Sequence, residues 1–129
     1  MAKNTTVIEI GNKKYILTFG LEFLRLLNEK YTLNQNGFEI SAGLPKAVSE
    51  IQFGNAEMIA EIIRFATTTL HDKPTDAEIE EYIYEQLDRE DDFDLFEYFF
   101  DLLKKAPGAK AMLKRIENAT EEVPATDTL

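Results

Sequence analysis

Two short runs near the N-terminus alternate between apolar and polar positions. Thr6 to Ile10 and Tyr15 to Phe19 are rich in β-branched and aromatic residues. Ile8 and Ile10 share one face and Tyr15, Leu17 and Phe19 share another, the period of two that half-buried strands show. Between them Gly11-Asn12 supplies the positive backbone dihedrals of a tight hairpin turn. A two-stranded hairpin is marginal alone in water, so this one is expected to pack on helices or on another copy.

After Gly20 the period changes to that of a helix. Leu21, Leu24 and Leu27, with Phe23 and Tyr31, predict a helix over about Leu21 to Lys30. Thr32 to Phe38 holds two Asn and a Gly and reads as a loop. A short apolar-spaced stretch, Leu44 to Ile51, predicts a second helix with Pro45 tolerated in its first turn. Asn55 is placed to cap a third helix reaching about Leu70. Its apolar arc is Met58, Ile59, Ile62, Ile63, Phe65 and Ala66. Thr75 and Glu78 match a capping box opening a fourth helix, with Ile79, Tyr82, Ile83 and Leu87 as its stripe and Glu80, Glu81, Glu85 and Asp88 turned outward. Asp91 or Asp92 is expected to begin a fifth helix, running through Phe93 to about Ala106 and stopped by Pro107-Gly108. A last helix is predicted over Ala109 to Glu117, with Met112, Leu113 and Ile116 on one side. The expected fold is α+β, mainly α: an N-terminal β-hairpin packed on about five helices. Residues 1–119 read as one domain and Thr120 to Leu129 as a mobile tail.

Charge sharpens this picture. Residues 1–74 hold eight Lys or Arg against eight Asp or Glu, so the formal charge of −10 comes wholly from the remainder. Between Asp76 and Asp101 twelve acids meet one base, Arg89, interleaved with Tyr82, Tyr84, Phe93, Phe96, Tyr98, Phe99 and Phe100. A disordered acidic tail would not carry so many large apolar groups. On a helical wheel of about 100° per residue, the 93–106 segment has an apolar arc of about 220°, about twice the stripe of an ordinary surface helix. Either the helix lies between others in the core, or part of the arc is left for a partner. The second reading makes Phe93, Phe96, Phe99, Phe100 and Leu103 a surface for a client or for self-association.

The residues argue against chemistry. There is no cysteine, which removes disulfides and thiolate catalysis. The acids from Asp88 to Asp94 superficially resemble a calcium loop, but the sixth and twelfth positions, which need Gly and Glu, hold Phe93 and Phe99. His71, the one histidine, is expected at a helix C-terminus beside Asp72 in a structural role, without a nucleophile or second ligand nearby. No phosphate-binding glycine loop or nucleophile elbow occurs. An acidic chain is a poor match for nucleic acid. The start of the sequence lacks the apolar run of a signal peptide, and no stretch approaches the length of a membrane span. The one basic cluster, Lys104, Lys105, Lys110, Lys114 and Arg115, is expected to neutralise the preceding acids within the chain or between copies. No enzyme, cofactor or metal site is expected.

The order Tyr15-Ile-Leu-Thr-Phe-Gly-Leu-Glu-Phe-Leu-Arg-Leu-Leu-Asn-Glu-Lys-Tyr31 carries a resemblance. A hairpin closing on Thr-Phe-Gly enters a helix. A short apolar helix near Leu44 follows, then a longer one ending before Lys73-Pro74-Thr75 and the acidic helix. Over residues 6–115 this resembles the tail assembly chaperones of long-tailed phages and prophages of Gram-positive bacteria. The density of Phe between Asp92 and Leu103 departs from that pattern. The resemblance implies a protein that coats the hydrophobic helices of the phage tape measure protein in the host cytoplasm, often self-associates, and is absent from the finished virion. It also implies that a frameshifted longer form could recruit tail tube protein. Two other readings stand beside it: an acidic mimic of DNA that blocks a nucleic-acid-binding protein, and a structural tail subunit.

Overall fold

Alternating residues in the first two runs form the expected hairpin. The structure, a computed structural model, describes residues 4–122. Strand β1 (Thr5–Ile10) pairs antiparallel with β2 (Lys13–Thr18), setting Ile8 opposite Tyr15 and Thr6 opposite Leu17. Ile8, Ile10, Tyr15 and Leu17 therefore share a single face of the hairpin, and all four are buried. Gly11 turns the chain at a φ of 65°.

Helix α1 (Leu21–Lys30) buries Phe23 and Leu27, whereas Leu21, expected on the same stripe, points to solvent. The loop expected over Thr32 to Phe38 is instead a second hairpin, β3 (Thr32–Gln35) paired with β4 (Phe38–Ser41). Its turn is Asn36-Gly37, with φ of 55° and 85°. Two consecutive positive φ values are what a two-residue hairpin turn requires, and Asn-Gly is the pair that supplies them most readily.

Helix α2 (Gly43–Gln52) follows, with Pro45 in its first turn. Its start lies against α1 so closely that a Cβ on Gly43 would come within 2.6 Å of Leu27. The Gly43 N–H donates to Asn28 Oδ1 at 2.9 Å. Helix α3 (Ala56–Ala66) is capped by Asn55, whose side chain accepts from the Glu57 N–H. It ends at Ala66, short of the expected Leu70, because Thr67 and the residues after it turn away from helical geometry. Helix α4 (Asp76–Leu87) opens on the complete capping box. Thr75 N–H donates to Glu78 at 2.8 Å, and Glu78 N–H donates to the Thr75 hydroxyl at 3.1 Å.

Helix α5 (Leu95–Leu103) starts later than Asp91 or Asp92, leaving Phe93 outside it. Asp94 is the cap, accepting from the Phe96 and Glu97 N–H groups, while Asp91 is taken by the Phe93 N–H and the Arg89 guanidinium. Helix α6 (Ala109–Glu122) runs three residues into the segment expected to be a tail. The rest of that segment, 123–129, lies outside the described residues.

The result is the mainly helical α+β fold, with one hairpin more than expected and six helices among the described residues. The centre of the core is α3, which touches α1, α2, α4, α5 and β2, and whose Ile59, Ile62 and Ile63 are fully buried. Helix α5 lies chiefly on α2. Among the described residues no helix is long and apolar enough to cross a membrane.

Candidate partner-binding surfaces

The wide apolar arc of α5 divides into three parts. Leu95, Phe99, Leu102 and Leu103, continued by Ala106, fill its middle and are buried in the chain's own core. Phe99 (0% exposed) and Leu103 (1%) thus face inward onto α2 and α3, not outward as a partner surface requires. One flank is closed by the same chain. There the Phe93 ring lies 5.5 Å from Tyr98 and carries the Arg89 guanidinium 4.2 Å above its centre. Burial, then the neighbouring Tyr98, pushes the Tyr82 phenol up to about 12.

The other flank, Phe96 and Phe100, is half-buried and open. Phe100 lines a shallow groove of about 510 Å³ with Leu113 and Ile116 of α6 and Gln52 of α2. Lys104, Lys110, Lys114 and Glu117 rim it. Lys104 Nζ sits 4.9 Å over the Phe100 ring and 3.2 Å from Asp101. Of the five residues expected on one surface, Phe100 alone lines this groove. Phe53, next along from Gln52, is almost fully exposed.

The second hairpin is a surface that the sequence reading missed. Its register sets Leu33 opposite Ile40 and Gln35 opposite Phe38 on one face, and Thr32 opposite Ser41 and Asn34 opposite Glu39 on the other. Thr32, Glu39 and Ser41 line a groove shared with α1. The polar face is thus the one turned to the molecule's own body, and the apolar face is turned to water. Leu33 is 57% exposed, Phe38 71% and Ile40 43%. The signal was present in Asn36-Gly37 and in the Phe38-Glu39-Ile40 alternation.

The acidic side of the molecule is α4. Glu80, Glu81, Glu85 and Asp88 are exposed and make no ion pair among the described residues, with Tyr84 and Leu87 exposed between them. The cleft between α3 and α4 is instead knitted by charge: Lys30 to Glu61 (2.5 Å), Glu61 to Arg64 (3.3 Å) and Arg64 to Asp76 (2.9 Å). The Glu61 carboxylate raises the Lys30 ammonium above its ordinary value. These pairs join α1, α3 and α4. His71 lies exposed beyond the end of α3, not at its C-terminus, beside the Lys13–Asp72 pair (2.7 Å). Among the described residues no three His, Asp or Glu side chains are grouped to hold a metal ion.

A fold whose conspicuous features are apolar surfaces set in charge fits a protein that meets other proteins. Residues 7–117 match the family model described as phage tail assembly chaperone protein, TAC. No curated protein and no solved structure matches the chain. The match spans most of the chain, from β1 into α6, and the chain belongs to the phage tail assembly chaperone family.

Proposed function

We propose that this protein is a non-catalytic chaperone that coats and solubilises the phage tape measure protein in the host cytoplasm and is left out of the finished particle. Membership of the family carries the reading most. The surface chemistry agrees with it. A client whose apolar helices would aggregate needs an apolar face to lie on, and a chain of charge −10 keeps the coated assembly dispersed. We assign the client to the outward face of β3 and β4, Leu33, Phe38 and Ile40. A longer form extended beyond residue 129 could add contact with tail tube protein without disturbing the packed elements.

Co-expression tests the reading. With this chain present, the tape measure protein from the same tail gene cluster is expected to move from the insoluble to the soluble fraction and to co-purify with it. A tape measure protein equally insoluble with and without the chain would overturn it. Mass spectrometry of purified particles tests the last part: a stoichiometric amount in virions would make the protein a structural subunit instead.

A further inference from the structure

The basic cluster sits around an apolar groove with its charge largely unspent. Lys110 and Lys114 are exposed and make no ion pair among the described residues, and Lys104 pairs only with Asp101, one turn away. The expectation that the basic cluster neutralises the preceding acids within the chain therefore fails for most of it. The groove's charged rim is three lysines against Glu117, a local excess of positive charge on a chain whose formal charge is −10. Its floor is apolar. Phe100 follows Phe96 by one turn on the open flank of α5, and Leu113 lies beside it on α6. Phe53, next in sequence to the wall residue Gln52, adds an exposed ring nearby.

We propose that the α5–α6 groove is a docking site for an acidic amphipathic helix of a second partner protein, distinct from both this chain and its client. Charge selects the occupant. An acidic partner is repelled by the molecule as a whole and attracted at this groove, so its approach is steered here and docking elsewhere is penalised. Spacing selects a helix. Lys110 and Lys114 stand four residues apart on α6, so carboxylates one turn apart on a partner helix meet them in register. An apolar side chain between those carboxylates then falls toward Phe100 and Leu113, the geometry of a helix laid in a groove. Lys104 stands on the α5 side, 4.9 Å over the Phe100 ring, and closes the rim there. At about 510 Å³ the groove admits one or two anchoring side chains, with the partner's backbone riding along its edge. Such a contact buries far less than the about 800 Å² per partner of a standard stable interface, so it is weak and salt-sensitive. The groove shares no residue with the outward face of β3 and β4, so the chain can hold this partner while the hairpin is occupied. The inference does not depend on what the hairpin binds.

Fluorescence anisotropy on the full chain tests it with synthetic peptides. The probe is a capped, labelled alanine-based helix of about 18 residues, long enough to be helical alone. It carries Phe and Leu one turn apart, flanked by Glu at intervals of three and four. It is expected to bind wild type at about 0.05 M NaCl and to be released at about 0.5 M, where the Debye length falls severalfold. The same helix with Lys for Glu, and polyglutamate of equal charge, are expected not to bind. Lys110→Glu/Lys114→Glu should weaken binding at least about tenfold, and Leu113→Ala at least about fivefold. Unchanged circular dichroism will establish that each variant is folded; if the reversal does not fold, Lys110→Gln/Lys114→Gln replaces it, with a loss of about threefold expected. Sedimentation of the lysine variant and its capture of the tape measure protein should match wild type. No binding of the acidic helix at low salt overturns the proposal, as does equal binding of polyglutamate or equal binding by either variant. Altered sedimentation of the lysine variant would give the groove to a second copy, and lost capture would give it to the client; either result also overturns the proposal.

Discussion

The two hairpins of this protein use the same local grammar to opposite ends. Both are two short antiparallel strands joined by a turn containing Gly with positive φ. The first lays Ile8, Ile10, Tyr15 and Leu17 into the core and presents mostly polar groups outside, apart from the Val7–Ile16 pair. The second lays Thr32, Glu39 and Ser41 toward α1 and leaves Leu33, Phe38 and Ile40 in water. A one-residue shift of register would turn the apolar set inward, so the outward placement is a choice of register and not of composition. Alternation alone tells which residues share a face. It does not tell which face meets the rest of the molecule.

Breaking the first hairpin should produce the largest effect. Leu17 is fully buried, and Leu17→Ala should cost about 2–5 kcal/mol, read as a large fall in thermal midpoint. Gly43→Ala attacks the joint between the second hairpin and the body. The new methyl meets Leu27 at 2.6 Å, so overpacking of about 1–3 kcal/mol is expected in urea unfolding. Tyr82 gives a smaller effect confined to alkaline pH. Its phenol is raised to about 12 in the folded state from the ordinary 10.0. The folded chain therefore holds this proton after the unfolded chain has lost it. Its share of stability is intact below pH 10 and disappears as pH climbs through about 12, at roughly 1.4 kcal/mol per pH unit. Tyr82→Phe should flatten that part of the pH dependence, and urea midpoints at pH 9, 10 and 11 would check it. The smallest stability change belongs to the second hairpin: Phe38→Ser should move unfolding by no more than about 0.5 kcal/mol, because the ring touches little of its own molecule.

The sequence was most legible where one residue's chemistry decides a local outcome. Thr75 and Glu78 announce their helix because each side chain answers the other's backbone donor, and the structure holds both bonds. Asn55 likewise caps α3. At the start of α5 the same logic misplaced the cap, since three nearby aspartates can each accept from the backbone; Asp91 accepts from the Phe93 N–H before the helix, and Asp94 accepts from the Phe96 and Glu97 N–H groups that open it. The second hairpin was misread because polar composition outweighed the Asn36-Gly37 turn. As for the partner surface, a helical wheel gave the width of the α5 arc but not its neighbours. Only packing distinguishes Phe99, sunk against α2 and α3, from Phe93 beneath Arg89 and Phe100 in an open groove.

Whether the outward face of the second hairpin holds the client, as proposed, is decided by comparing two chains in one capture experiment. Wild type and Leu33→Ser/Phe38→Ser/Ile40→Ser are each co-expressed with the tape measure protein, and the soluble, co-purifying tape measure protein is quantified. The triple variant is expected to fold with a nearly unchanged melting temperature but to keep less than about a tenth of the client, the loss expected from removing an interface's central apolar anchors. A triple variant that folds and captures as much tape measure protein as wild type would contradict it.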